Sequence, residues 1–254
     1  MTTVTRRDAL RLLAVPFGLA ATGSLPLGTT GREPSRARAR MKVLVAGGHP
    51  DDPESGCGGT IARYVAEGHE VLALYLTRGE AGIPGKSHDE AARIRTAESE
   101  RACAILGAKA RFAGQVDGDT HLDGTAYAAM RDLFARERPD VVLTHWPVDT
   151  HRDHRAISLL AYDAWLGTGR TAALGYFEVL TGDQTQVFHP TDYVDITAVA
   201  ARKRDAVSAH VSQLPEEWYP AHERMARFRG MEHGCEMAEA FIRHDRGPAL
   251  PLPA

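Results

Sequence analysis

The sequence predicts a three-layer α/β/α fold with a mostly parallel sheet. Short apolar runs of strand length alternate with longer segments of helical periodicity. The runs are apolar without interruption, as is typical of strands that are covered on both faces of a parallel sheet. A chain of 254 residues with 43% hydrophobic and 25% charged residues can bury a sizeable core. These observations together indicate one α/β domain of Rossmann-like architecture.

The first strand is expected over residues 41–46, and the adjacent glycines Gly47 and Gly48 end it. A helix is expected over 56–67, because its apolar residues fall on one face and Gly68 stops it. A second strand is expected over 70–77. The glycine-rich segment 78–89 is expected to be a long loop, and loops of that length are often functional.

The remaining elements are predicted from the same two signals, which are the periodicity of apolar residues and the glycines and prolines that interrupt it. Strands are expected over 110–116, 140–146, 175–180 and 193–196, and helices over 90–106, 127–137, 153–166, 198–211 and 231–242.

Residues 1–40 are set apart from the predicted domain, which spans 41–254. They contain seven arginines and two acids, and the arginine pair Arg6-Arg7 is followed by a weakly apolar stretch. This pattern resembles a twin-arginine export signal. It predicts a periplasmic or extracellular protein, or a cytoplasmic one if Met41 is the true start. The apolar stretch is too short and too interrupted for a membrane span, so no stable span is expected in the mature protein.

The charge of the chain weighs against a nucleic-acid partner. The formal net charge is -3, and the basic leader leaves an excess of acids in the predicted domain. An acidic domain gives no electrostatic reason to bind nucleic acid. Three scattered cysteines do not form a disulfide framework or a C-x-x-C zinc ribbon.

Two predicted strands end in clusters of histidine and aspartate. The first cluster is His49-Pro50-Asp51-Asp52, and the second runs from His145 to His154. Sites in open α/β sheets form at the carboxyl ends of strands, so the clusters meet if the two strands are neighbours.

The residue types in these clusters are those that hold a catalytic metal. Three histidine and carboxylate ligands with one open position are typical of catalytic zinc. His49 and Asp52 are three residues apart on a turn, as are His151 and His154 at a loop-to-helix junction. Asp51 is then left beside the metal, where a carboxylate can accept a proton from water.

The two clusters together resemble the PIG-L/LmbE family of zinc-dependent N-acetylglucosaminyl deacetylases. The family carries an HPDD segment after its first strand, then a glycine pair, and a later H-x-x-D-H or H-x-D-H segment. The matching segments here are His49-Pro50-Asp51-Asp52, Gly58-Gly59 and His151-Arg152-Asp153-His154. Weaker similarity lies in 77–82, 95–107 and 203–213, so the resemblance covers nearly all of 41–245.

The resemblance implies a role for each matching residue. His49, Asp52 and His154 would bind Zn²⁺, although this ligand set also tolerates Fe²⁺. Asp51 would be the general base. His151, protonated and oriented by Asp153, would stabilise the oxyanion. Arg95 matches a position that can face the substrate, with a solvated helix face as the alternative. The implied reaction is removal of acetyl from an N-acetylglucosamine-type small molecule.

Other classes of function remain open. A nucleotide-binding Rossmann enzyme should carry G-x-G-x-x-G after the first strand, and this chain has Gly47-Gly48-His49-Pro50-Asp51-Asp52 there. A non-catalytic sugar-binding relative would be expected to lose Asp51 or a ligand. An amidase that removes a larger acyl group from an amino-sugar conjugate is a further alternative. The sequence does not predict the aglycone or the oligomeric state.

Overall fold

The computed structural model describes residues 39–253. Residues 1–38, most of the predicted export signal and linker over 1–40, therefore lie outside the described residues, and the export signal stays a prediction. The described part of the chain contains no helix that is both long enough and apolar enough to cross a membrane.

Seven strands form one sheet in the order β3-β2-β1-β4-β5-β7-β6. The first five strands along the chain pair in parallel, and β7 is antiparallel to both β5 and β6. The strands are β1 (Lys42–Gly47), β2 (Glu70–Tyr75), β3 (Lys109–Phe112), β4 (Val141–His145), β5 (Ala173–Phe177), β6 (Asp192–Asp195) and β7 (Ala238–Arg243). The helices are α1 (Asp52–Ala66), α2 (His88–Leu106), α3 (Gly124–Glu137), α4 (Arg152–Gly167), α5 (Ala200–Ser208) and α6 (Pro215–His233).

The helices cover both faces of the sheet, which confirms the three-layer prediction. Val43 and Val45 of β1 pack in one apolar cluster with residues of α1, α2, α5 and α6. Leu44 and Ala46, which point to the opposite face, pack in another cluster with residues of α3 and α4. Burial on both faces explains why β1 has no polar alternation.

The sequence prediction was wrong near the C-terminus. A helix was expected over 231–242, but α6 ends at His233 and residues 238–243 form strand β7. Gly234 takes a left-handed conformation with φ 86° and ends the helix. The preceding helix α6 was missed because of its two prolines. Pro215 occupies the first turn, where proline is tolerated, and Pro220 lies inside the helix.

Helix α1 begins at Asp52, the last residue of the HPDD segment, and it is hydrogen-bonded to β7. The carboxylate of Glu239 accepts the backbone N–H of Gly59 at 2.8 Å and that of Thr60 at 2.7 Å. Lys203 pairs with the same carboxylate at 2.7 Å. A Cβ on Gly59 would lie 2.5 Å from the side chain of Ile196. The glycine pair therefore permits close packing of α1, which fixes the start of the helix.

Candidate metal centre and active site

The two histidine and aspartate clusters meet at the carboxyl edge of the sheet. Strand β1 leads into the first cluster and β4 into the second, and these strands are parallel neighbours. The strand order runs outward in opposite directions from this pair, so the clusters flank the topological switch point of the sheet. The sequence expectation that the clusters converge is confirmed by this arrangement.

Asp52 lies at the centre of the cluster, buried in the first turn of α1. Its Oδ2 atom accepts the backbone N–H of His49 at 2.7 Å. The same oxygen lies 3.3 Å from His49 Nδ1 and 3.2 Å from His154 Nε2. The structure therefore brings together the three residues that the sequence suggests as metal ligands.

Each of the two histidines also contacts an aspartate through its other ring nitrogen. His49 Nε2 lies 3.1 Å from Asp153 Oδ2, and His154 Nδ1 lies 3.1 Å from Asp149 Oδ1. When His49 Nε2 and His154 Nδ1 donate their protons to these aspartates, the other ring nitrogen of each histidine presents a lone pair to Asp52. Metal-binding histidines are held by carboxylates in this way. Two lone pairs facing a carboxylate repel one another unless a cation lies among them, so the residues present fit a metal ion.

The electrostatics of the cluster also favour a cation. Burial opposes ionisation of Asp52, but the positive charge of the neighbouring His154 holds its pKa well below the usual range. Burial likewise opposes protonation of His154, and the carboxylates of Asp52 and Asp149 nevertheless raise its pKa to about 9. The cluster thus attracts positive charge, which a divalent ion supplies more fully than a proton.

His145 belongs to this cluster and was not among the predicted site residues. It is completely buried, and its ring stacks on His154 with the centroids 4.0 Å apart. Its Nε2 accepts the backbone N–H of Gly48 at 3.1 Å, although the same atom lies 3.3 Å from Asp52 Oδ2. Burial lowers the pKa of His145 to about 4, so the ring is neutral. The engaged lone pair favours His49 over His145 as the second imidazole ligand.

Two aspartates that support the candidate ligands were also missed. Asp149 accepts from Thr185 Oγ1 at 2.9 Å in addition to its contact with His154. Its place in the second cluster, two residues before His151, was a signal that could have found it. Asp117 lies 3.2 Å from His49 Nε2. It is distant in sequence from both clusters, and only the fold brings it to the site.

Asp51 is held in a strained backbone conformation beside the cluster of histidine and aspartate residues. Its φ of 106° is uncommon for any residue except glycine and indicates a conformation imposed by its surroundings. The guanidinium of Arg95 donates to Asp51 Oδ2 at 3.1 Å and to the carbonyl of Pro50 at 2.5 Å. Burial raises the pKa of Asp51 to about 6, against the opposing charge of Arg95.

Arg95 is buried rather than on a solvated helix face. Its side chain packs so closely against the loop after β2 that a Cβ on Gly79 would lie 2.2 Å from Nη1. The observed partners of Arg95 are therefore Asp51 and the chain around it. Its assignment to substrate binding stays a prediction.

The partners of Asp153 differ from those expected. Its carboxylate accepts from Thr120 Oγ1 at 2.6 Å and from the backbone N–H of Gly118 at 3.0 Å, and it also contacts His49. Only its backbone N–H reaches His151, donating to Nδ1 at 3.3 Å. In the first turn of α4, the Asp153 side chain points to the loop after β3, whereas His151 caps the helix.

His151 is half-buried at the edge of the cluster, with its ring 4.5 Å from that of His49 between centroids. Burial and the neighbouring imidazoles lower the pKa of His151, which opposes the protonated form that we expected. Because Nδ1 accepts a backbone N–H, the proton of the neutral ring lies on Nε2. A neutral donor is therefore available at this position.

The later segment of family similarity, residues 203–213, is hydrogen-bonded to α2, the helix that also carries Arg95. Glu98 on α2 accepts from the backbone N–H of Ser212 at 2.8 Å and from its hydroxyl at 2.6 Å. The side-chain amide of Gln213 donates to the carbonyl of Gly82 at 3.2 Å. These bonds tie α2 and the loop after β2 to the chain that follows α5, so the motif has a structural role.

Comparison with known proteins agrees with this geometry. Residues 44–165 match the family described as PIG-L, GlcNAc-PI de-N-acetylase. Diacetylchitobiose deacetylase from Thermococcus kodakarensis is 33% identical over 217 residues, which is 78% of this chain and 81% of that protein. The structure of N,N'-diacetylchitobiose deacetylase from Pyrococcus horikoshii is 26% identical with a TM-score of 0.73. That likeness covers 83% of this chain and 88% of the other.

A protein with different chemistry is also related. 4-Oxalmesaconate hydratase from Pseudomonas putida is 27% identical over 215 residues, which is 76% of this chain and 81% of that protein. Similarity of this extent therefore joins proteins of more than one activity. Identity above 30% across four-fifths of the Thermococcus protein, together with the family match over the two clusters, shows that the chain belongs to the PIG-L family.

Proposed function

We propose that the protein is a zinc-dependent N-deacetylase that hydrolyses the acetamide of an N-acetylglucosamine-type sugar or conjugate and releases acetate. The arrangement of His49 and His154 around Asp52 carries the proposal, because each ring is held by an aspartate and faces the same carboxylate oxygen. The family match and the 33% identity to a diacetylchitobiose deacetylase support the substrate class.

His49 Nδ1, Asp52 and His154 Nε2 would hold the metal. Bound zinc supplies a Lewis acid that polarises the amide carbonyl and makes water more acidic. Nitrogen and oxygen donors in this ratio suit zinc and also suit iron(II).

Asp51 would act as the general base. Its pKa is raised to about 6, close to neutral pH. At neutral pH the carboxylate is then ionised and is also a stronger base than an ordinary aspartate. It accepts a proton from the attacking water and can return that proton to the leaving amine. Arg95 fixes the carboxylate through the 3.1 Å hydrogen bond and limits the rise of the Asp51 pKa.

His151 would stabilise the negative charge that develops on the amide oxygen. In the neutral ring the Nε2–H is the donor, since Nδ1 accepts from the backbone of Asp153. A single donor of this kind typically contributes about 3 kcal/mol to transition-state stabilisation.

The test is acetate release from a panel of N-acetylglucosamine conjugates by zinc-loaded protein. We expect Asp51→Asn to keep zinc and lose at least about 100-fold in turnover, the typical contribution of a general base. His154→Ala should lose zinc itself. Asp163→Asn, a surface change at an ion pair with Arg131, is the control and should behave as wild type. Near-normal turnover of Asp51→Asn would overturn the base assignment, and absence of acetate from every conjugate would overturn the deacetylase proposal.

Export by the twin-arginine route is a separate proposal, supported by Arg6-Arg7 and the apolar stretch that follows. Replacing both arginines with lysine keeps the charge and removes the pair. We expect the full-length variant to accumulate in the cytoplasmic fraction of an export-competent host. Equal export of the variant and wild type would refute this route.

A further inference from the structure

The segment 77–82, which is similar to the family, lies between the end of β2 and the candidate metal centre. Thr77 donates both its backbone N–H and its hydroxyl to the carbonyl of Gly48, each at 3.1 Å, immediately before the HPDD segment. Further along the segment, a Cβ on Gly82 would lie 2.4 Å from Nη1 of Arg95. The segment therefore packs both against the chain that leads into the metal centre and against the arginine that contacts the candidate base.

Glu80 joins this segment to the loop after β3. Its Oε2 atom accepts the backbone N–H of Arg78 and the backbone N–H of Asp117, each at 3.1 Å. In return, Oδ2 of Asp117 accepts the backbone N–H of Ala81 at 3.2 Å. We call these three hydrogen bonds the Glu80–Asp117 link. Each acceptor is a carboxylate, and such bonds are roughly twice as strong as those between neutral groups, so the link fixes the position of Asp117.

The Glu80–Asp117 link ends at a candidate metal ligand. The second oxygen of Asp117, Oδ1, lies 3.2 Å from His49 Nε2. The other carboxylate at this nitrogen belongs to Asp153, and it accepts the backbone N–H of Gly118 at 3.0 Å and the hydroxyl of Thr120 at 2.6 Å. Both carboxylates at His49 Nε2 are thus held by the loop after β3. Carboxylates in this position orient a histidine and make its other nitrogen a stronger metal ligand.

We propose that Glu80 is a positioning residue for the metal site, and that it acts on His49 through Asp117. The Glu80–Asp117 link holds the loop after β3, so that Asp117 stays at His49 Nε2 and the lone pair of His49 Nδ1 stays directed towards Asp52. The inference rests on the proposed function, because that function requires His49 to bind a metal ion.

Three variants separate the position of the loop from its charge. Glu80→Ala removes both hydrogen bonds that Glu80 accepts. Glu80→Gln removes the charge, but its amide oxygen can accept the same two N–H groups. Asp119→Asn removes a charge from the loop that carries Asp117, at a side chain that is 76% exposed, and is the control. Zinc affinity is measured by competition with a chromogenic chelator at neutral pH, and circular dichroism verifies the fold.

We expect Glu80→Ala to weaken zinc binding by about tenfold, the lower end of the range for loss of a supporting partner, because Asp153 remains at His49. Glu80→Gln and Asp119→Asn should retain wild-type affinity. Because the effect passes through Asp117, Glu80→Ala should cause no further loss in an Asp117→Ala background.

Wild-type affinity of Glu80→Ala would overturn the inference. An equal loss in Glu80→Gln would also overturn it, because charge and not position would then matter. A full further loss in the Asp117→Ala background would show that Glu80 acts independently of Asp117. If the wild-type protein binds no zinc, this inference and the proposed function both fail. Zinc binding without acetate release from any conjugate overturns the proposed function alone.

Hydrogen exchange in the wild-type protein tests the same coupling without a substitution. Coupling between two sites is reciprocal, so a link that favours zinc binding must itself be stabilised by zinc. We expect zinc to slow exchange of the Asp117 N–H by about the same tenfold factor. The reference is the N–H of Ala126, which Asp123 accepts at 2.8 Å at the start of α3. Equal exchange of the Asp117 N–H with and without zinc overturns the inference, even if Glu80→Ala does not fold.

Discussion

Removal of the charge on Asp149 is expected to weaken metal binding without removing a metal ligand. Asp149 Oδ1 contacts His154 Nδ1 at 3.1 Å and accepts the backbone N–H of His151 at 2.8 Å. Asp149 Oδ2 accepts the hydroxyl of Thr185 at 2.9 Å. The carboxylate thus fixes the ring of His154 and makes its inner nitrogen a stronger ligand.

The change Asp149→Asn keeps most of this geometry and removes the charge. The amide oxygen can occupy the Oδ1 position and keep the contacts with His154 and His151, and Thr185 can reverse its hydroxyl to accept from the new NH₂ group. Loss of such a supporting partner typically costs 10–100-fold in metal affinity, or about 1.4–2.7 kcal/mol. We expect Asp149→Asn to lie at the lower end of that range, and Asp149→Ala, which removes every contact, at the upper end.

The assay is competition for Zn²⁺ between the apoprotein and a chromogenic chelator at neutral pH. Circular dichroism of each variant verifies that the fold is retained, and Asp163→Asn again provides a surface control. Zinc affinity equal to wild type in both Asp149 variants would refute the reasoning, because His154 would then not depend on its carboxylate partner.

Three further predictions concern the base, its partner and the packing of α1. We expect kcat/KM to fall towards acid pH as Asp51 is protonated, because the base acts only when ionised; burial raises the pKa of this carboxyl, while the charges of Arg95 and of a bound zinc ion lower it, so the midpoint lies at or below about pH 6, and a midpoint well above pH 6 contradicts the assignment. Arg95→Met should raise the pH midpoint, because a cation that favours the ionised base is lost, and an unchanged or lower midpoint would contradict this. Gly59→Ala should lower the free energy of unfolding by about 1–3 kcal/mol in denaturant titrations, since the new Cβ meets Ile196 at 2.5 Å; wild-type stability would show that the helix shifts freely.

The order of residues along the chain is enough to predict the layers of the fold and the residues at the centre of the site. Unbroken apolar runs predict strands that are buried on both faces, and the positions of β1 and β4 follow from them. The clusters were recognisable because chain direction places residues after parallel strands at one edge of the sheet. His49, Asp52 and His154 therefore follow from local pattern and are found together in the structure.

The groups that surround those residues become visible only when distant elements of the chain are packed together. Asp117 reaches His49 from the loop after β3, and Arg95 reaches Asp51 from α2, although neither contact is encoded in a local spacing. The same reason explains the partners of Asp153, since its side chain is directed by the first turn of α4 towards the loop at Gly118. Hydrogen-bond partners and pKa values depend on distances between elements that are far apart in sequence, and these distances exist only after the sheet and its helices have packed.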